Sequence, residues 1–282
     1  MEKVTTGDKL RIGEIRYANC TPVYSTLKAG FDCGPYEFVT GEPSLLNAML
    51  ARGEVDVSAS SSIEYARHAD EYLVIPDLSI SSSGEVGSIL FFSKRPVGEL
   101  GGREVAVSSA SATSTVLLKV LLRFRYGIEP VFKPRPPKLS SMLDGAEAAL
   151  LIGDEALKER IALPDSSGLF VYDLGREWDD FTGLPFVYAL WMIRADSARR
   201  LTEAALGLKR DLLLARDKSL EEYENIAGSA PESAWMGADS LVAYWRAMSY
   251  RLGDRHVEGL LRFLAYAKEV EEIPAVPALK FF

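Results

Sequence analysis

Apolar and polar positions alternate between two periods along this chain. Residues 10–15 form a short apolar-rich run that reads as a first strand, followed by a loop from Arg16 to Pro22. Pro43 opens a segment in which Leu45, Leu46, Ala48, Met49 and Leu50 fall on one helical face, and Gly53 closes it. A buried strand is expected at 55–59 and a helix from Ile63 to Arg67. A stronger strand is expected at 88–93. The pattern then restarts. A strand at 105–108 precedes a helix carrying Leu117, Leu118, Val120, Leu121 and Leu122, with Ser111 to Thr115 as its cap. Val131 and Phe132 read as extended, and Pro134, Pro136 and Pro137 as a loop. Residues 148–152 read as a buried strand that feeds a helix at 155–160. After a strand at 186–192 the chain is almost wholly helical, with apolar-periodic segments near 196–216, 220–227, 239–251 and 257–270.

Strands alternating with helices predict an α/β fold with mostly parallel sheets in two units. The 282 residues suit two lobes better than one small core. The simplest topology makes 1–93 and 186–282 one discontinuous lobe and 94–185 an inserted second lobe. Two crossing strands would form the hinge, the helical C-terminal part would pack on lobe one, and a ligand would sit in the cleft.

Composition narrows the function. Hydrophobic residues make up 48% and charged residues 26%, ordinary for a globular chain. The formal net charge of −8 argues against sequence-independent nucleic-acid binding, yet leaves room for a small anion held by local donors. Only Cys20 and Cys33 are present, outside any CxxC pair. That favours reduced thiols and a cytoplasmic protein over a disulfide framework. The N-terminal residues carry no apolar signal core, and no apolar run is long enough to span a membrane.

Three hydroxyl-rich or small-residue turns lie where strands meet helices: Ser60-Ser61-Ser62, Ser111-Ala112-Thr113-Ser114 and Ile152-Gly153-Asp154. Each can serve as an ordinary N-cap. Together they can also form an anion site, because helix N-termini present unpaired N–H groups and partial positive charge. Asn19 is either a turn residue or an amide facing a ligand hydroxyl or carboxylate. Residues 81–88 read as a polar loop entering a strand, and Gly183-Leu184-Pro185-Phe186 as a turn or a rigid wall. His68 and His256 read as structural, so no histidine base is evident. Trp178 and Trp191 read as core, and Lys119, Arg123 and Arg125 as a solvated helix face. No metal-ligand cluster, dinucleotide fingerprint, P-loop or nucleophile elbow occurs.

Taken in order, several stretches resemble the chorismate dehydratases of the futalosine route to menaquinone. These have a solute-binding-protein fold, of the class II periplasmic-binding-protein type. The stretches are Leu10-Arg11-Ile12-Gly13 with Tyr17-Ala18-Asn19; Glu42-Pro43-Ser44-Leu45-Leu46-Asn47; Val55-Asp56-Val57-Ser58 with Ser61-Ser62-Ile63-Glu64-Tyr65-Ala66; Gly84-Glu85-Val86-Gly87-Ser88; Ser111-Ala112-Thr113-Ser114; Leu151-Ile152-Gly153-Asp154-Glu155-Ala156-Leu157; and Gly183-Leu184-Pro185-Phe186-Val187. The family more often has a larger apolar residue at Ala18 and a Thr at Cys20. The resemblance implies loss of water from chorismate without cofactor or metal. Asn19 and Ser88 would be the catalytic residues, and the substrate's own enolpyruvyl carboxylate the base. Tyr17, Ser61, Ser62, Gly84, Ser111, Ala112, Thr113, Ser114, Gly153, Asp154, Leu184 and Pro185 are the candidate substrate-binding residues. A sister lyase acting on cyclic dehypoxanthine futalosine, which relies on a histidine, and a non-catalytic binding protein are the other readings. The oligomeric state is open.

Overall fold

The computed structural model describes residues 9–108 and 112–282. Among the described residues, eleven strands form: β1 (Leu10–Glu14), β2 (Tyr36–Thr40), β3 (Val57–Ser61), β4 (Tyr72–Ser82), β5 (Ile89–Ser93), β6 (Glu104–Ser108), β7 (Val131–Arg135), β8 (Ala148–Ile152), β9 (Phe170–Asp173), β10 (Phe186–Arg194) and β11 (Met248–Ser249). They build two sheets, one of six strands in the order β11-β4-β10-β3-β1-β2 and one of five in the order β7-β6-β8-β5-β9.

Each sheet is mixed, where mostly parallel pairing was expected. β1 runs parallel to β2 and β3, and β6 parallel to β7 and β8. β10 is antiparallel to both β3 and β4, and β5 is antiparallel to both β8 and β9. Only the six residues 83–88 separate β5 from β4 in the other sheet, a gap too short for the helix that sets strands parallel. β10 follows the helix Leu174–Thr182 and the gap 183–185, but the strand before that helix, β9, lies in the other sheet, so no crossover within one sheet sets β10 parallel to a neighbour. The strand at 89–93 therefore belongs to the second sheet, not to the first lobe, and the outward passage lies at 83–88 rather than after 93.

Other expectations shift for local reasons. The expected loop at 16–22 is cut short by a helix Thr21–Gly30, which Pro22 suits because its fixed φ and missing N–H fit the first helical turn. Pro134 lies inside β7, which tolerates it because β7 is an edge strand. Lys119 and Arg125 do not simply face solvent, since they pair with Glu272 and Glu177.

The core is continuous across the first lobe and into the second. Trp178, Trp191 and Trp245 are fully buried within it. The helix Thr202–Glu221 packs on Thr21–Gly30, and Asp254–Glu269 packs against β10. Residues near the C-terminus close along β4: Val74 N–H donates to the Lys280 carbonyl (2.8 Å) and Phe282 N–H to the Val74 carbonyl (2.9 Å). Among the described residues, no helix is long and apolar enough to cross a membrane.

Candidate active site

The carboxyl ends of β1, β3 and β8 and the start of the helix Ala112–Val120 face one another between the sheets. The space they leave free of protein atoms, open solvent included, measures about 560 Å³. Tyr17, Asn19, Ser61, Ser88, Thr113, Ser114 and Tyr188 bring polar groups to its wall. Ile15, Pro43, Ala59, Ile80, Ile89, Ile152 and the two alanines Ala112 and Ala189 supply most of the apolar part. Among the described residues, no side chain that is charged in its ordinary state lines it.

The Asn19 turn is held from several sides. Ala18 N–H donates to Asp154 Oδ1 (2.9 Å), Trp245 Nε1–H donates to the Ala18 carbonyl (2.7 Å), and the Tyr250 hydroxyl donates to the Asn19 carbonyl (2.8 Å). The backbone of Asn19 is thus fixed, while its buried side-chain Oδ1 has no protein partner. A buried amide oxygen without a donor is costly, so this atom is an acceptor for whatever fills the space.

Ser88 is 1% exposed and receives a hydrogen bond from the Tyr244 hydroxyl (2.9 Å). Its carbonyl accepts from Gly153 N–H (2.7 Å). The turn before it is fixed by Asp173, whose carboxylate accepts from Val86 N–H and Gly87 N–H and also caps the helix Leu174–Thr182 at Gly175 and Arg176.

The two lobes touch through small residues. Gly153 has φ +62°, and a Cβ there would lie 2.5 Å from the Tyr17 ring. Tyr17 is held in turn by Glu42, to which its hydroxyl donates (2.8 Å). Thr113 Oγ1 accepts from Ile63 N–H (3.2 Å), joining the start of Ala112–Val120 to that of Ser62–Arg67.

Eight of the candidate residues meet at this wall: Tyr17, Asn19, Ser61, Ser88, Ala112, Thr113, Ser114 and Gly153. Ser111 lies outside the described residues. Five others stand elsewhere. The Ser62 hydroxyl turns to the Val187 carbonyl (2.8 Å), and the Gly84 carbonyl accepts from Ser82 (3.0 Å). Asp154 turns to Ala18 and borders a second cavity with Glu14 and Glu232. Leu184 and Pro185 lie against the helix Asp254–Glu269 at Gly259. Tyr188 and Ala189 were not singled out by sequence. They sit mid-strand in an unbroken apolar run, where no alternation marks the ligand-facing side.

Among the described residues, the wall offers donors but no ordinary base. Burial pushes the hydroxyls of Tyr17 and Tyr188 far up, with the Glu42 hydrogen bond adding to the effect at Tyr17, so both remain protonated. Burial likewise pushes the Cys20 thiol up, so it stays a thiol. His68 pairs with Glu64 and Glu71 on its own helix and the residues after it, and His256 lies at the start of Asp254–Glu269. Neither lines the space. Among the described residues, no group of three or more His, Cys, Asp or Glu side chains is placed to hold a metal ion.

A family model described as menaquinone biosynthesis matches residues 10–269. The chain belongs to this menaquinone biosynthesis family. It is 35% identical over 199 residues to a chorismate dehydratase of Thermus thermophilus, covering 66% of this chain and 70% of that one. A chorismate dehydratase of Campylobacter jejuni is 31% identical, over 63% of this chain and 64% of its own. A 1,4-dihydroxy-6-naphtoate synthase of Thermus thermophilus is 26% identical, over 78% and 71%. Among solved structures, a protein from Archaeoglobus fulgidus superposes with a TM-score of 0.75 at 20% identity, covering 94% of this chain and 98% of that one. The periplasmic aliphatic sulphonate-binding protein of Escherichia coli superposes with 0.64 at 15%, over 95% and 89%. This menaquinone-biosynthesis protein therefore has the two-lobed fold of periplasmic binding proteins.

Proposed function

We propose that this chain eliminates water from chorismate to give 3-[(1-carboxyvinyl)oxy]benzoate, a cofactor-independent carbon–oxygen lyase reaction carried out in the cytoplasm. The observation that carries this reading is a cavity rich in neutral donors, walled by both lobes and lacking an ordinary base, in a chain related to named chorismate dehydratases.

The chemistry suits such a wall. The ring carbon bearing the enolpyruvyl ether loses its proton, and the electron pair delocalises through the adjacent double bond into the ring carboxylate. The neighbouring hydroxyl then leaves as water with the proton that the enolpyruvyl carboxylate took from the ring carbon, and the ring becomes aromatic. What the site must supply is stabilisation of charge growing on the ring carboxylate. Ser88, Asn19 and the N-terminus of Ala112–Val120 are the donors assigned to it. The unpartnered Oδ1 of Asn19 is assigned the substrate hydroxyl that departs. The enolpyruvyl carboxylate takes the ring proton, which fits a wall without histidine. Contact between Tyr17 and Gly153 closes the lobes and keeps water from the carbanion-like state.

Incubation of the purified protein with chorismate, without added metal, tests this. An aromatic product bearing an intact enolpyruvyl ether is expected. Replacing Ser88 or Asn19 by Ala is expected to lower kcat by about 10²–10³, the usual cost of losing one such donor. Binding of chorismate without turnover points to a receptor-like protein. Inertness to chorismate with turnover of cyclic dehypoxanthine futalosine points to the chemistry named for the more distant Thermus relative.

A further inference from the structure

Ser88 and Asn19 are far apart in sequence from the helix Ala238–Ala247, yet this helix and the residues after it reach both. The Tyr244 hydroxyl lies 2.9 Å from Ser88 Oγ, and both side chains are buried. The next residue, Trp245, holds the Ala18 carbonyl, and Tyr250 holds that of Asn19. The tyrosine ring lies along the Ser88 turn: a Cβ at Gly87, where φ is +73°, would be 3.8 Å from it.

A serine hydroxyl has one proton and two lone pairs. When Tyr244 donates into a lone pair, the serine proton must point to another acceptor. The Ser88 carbonyl already accepts from Gly153 N–H. The free direction is the cavity that Ser88 lines. Burial pushes the tyrosine pKa up, with nearby carboxylates adding to it against the Ser88 hydrogen bond, so the phenol keeps its proton over the working pH range.

We propose that Tyr244 is a positioning residue: it fixes the Ser88 hydroxyl as a donor aimed at the substrate. The proposal rests on the dehydratase reading above. It gives the helical C-terminal part of the chain a role in the reaction as well as in the core.

The test is a double-mutant cycle on chorismate turnover with wild type, Y244F, S88A and the double variant. Phe keeps the packed ring and removes one oxygen atom. Y244F is expected to lower kcat by about tenfold, through loss of orientation, with KM within about twofold. In the S88A background the same change is expected to have no further effect, because the hydroxyl it orients is gone. Y244F with wild-type kcat, or effects of Y244F and S88A that multiply, overturns the inference alone. A wild type inert to chorismate overturns the dehydratase reading on which it rests. A merely structural tyrosine would lower Tm and the yield of folded protein and would cost the same in both backgrounds.

Discussion

Gly153 shows how one missing side chain can decide the shape of the site. Its φ of +62° is in the left-handed region, and the Tyr17 ring occupies the place of a Cβ. Alanine there combines backbone strain of roughly 1–2 kcal/mol with a clash across the lobes. Because the clash is between lobes, G153A is expected to raise KM for chorismate at least tenfold, while Tm falls by only a few degrees. Steady-state kinetics and a thermal melt check both numbers; an unchanged KM would show that this contact does not set lobe closure. Asp154, the next residue, carries a pH signature. Burial lifts its carboxyl to about 6, against the Ala18 hydrogen bond that pulls it down. The folded chain thus binds more protons at this site than the unfolded chain between roughly pH 4 and 6. Its contribution to stability therefore falls as pH rises through that window. D154N keeps an acceptor for Ala18 and abolishes the titration. It is expected to be more stable than wild type at pH 7.5, by on the order of 1 kcal/mol after solvent screening, and to lose that advantage near pH 4. Urea melts at the two pH values decide it. The Gly153-Asp154 pair was legible as a small-residue helix start. The distance that makes Gly153 a contact for Tyr17 was not, because it spans two lobes.

At the level of elements, the period-2 and period-3.6 patterns located β1, β3, β5, β6, β8 and β10 and the helices that follow several of them. β4 escaped because Ser81 and Ser82 read as part of a polar loop and 72–80 was assigned no element. Ser79, Ser81 and Ser82 are buried, and their hydroxyls are satisfied by the Arg251, Ser249 and Gly84 carbonyls. Polar residues can therefore occupy a central strand, and no hydrophobic pattern announces them. β9 and β2 escaped because each is a short, partly exposed edge strand. Of the site, the strand–helix junctions were legible, whereas Tyr188 and Tyr244 were hidden inside a continuous strand and an amphipathic helix. Packing between elements also yields a test remote from the wall. A Cβ at Gly259 would sit 2.1 Å from the Pro185 carbonyl, between the helix Asp254–Glu269 and the entry to β10. Neither backbone can move freely, so G259A is expected to cost about 1–3 kcal/mol. A melt should show a Tm lower by several degrees, with kcat of the folded fraction within about twofold of wild type. A large loss of kcat instead would mean that the passage at 183–185 sets the geometry of the cavity.

The charge of the whole molecule sets one further expectation, because it opposes the ligand. The net charge is −8, and chorismate is a dianion at neutral pH. The cavity assigned to it presents hydroxyls, an amide and a helix N-terminus, and among its described lining residues there is no lysine or arginine. Such donors act only at hydrogen-bond range, whereas the field of the surface charges extends over a Debye length, about 10 Å at 0.1 M salt. An approaching dianion therefore feels net repulsion before it feels the donors, and added salt removes the repulsion more than it weakens the short contacts. Raising potassium chloride from about 10 to 200 mM is expected to increase kcat/KM for chorismate about two- to threefold and to leave kcat unchanged. This is the opposite of the salt dependence of an enzyme that draws in an anion with a basic funnel. A fall in kcat/KM over the same range would mean that local cations, such as the exposed Arg16 that lines the neighbouring cavity, outweigh the net charge in capturing the substrate.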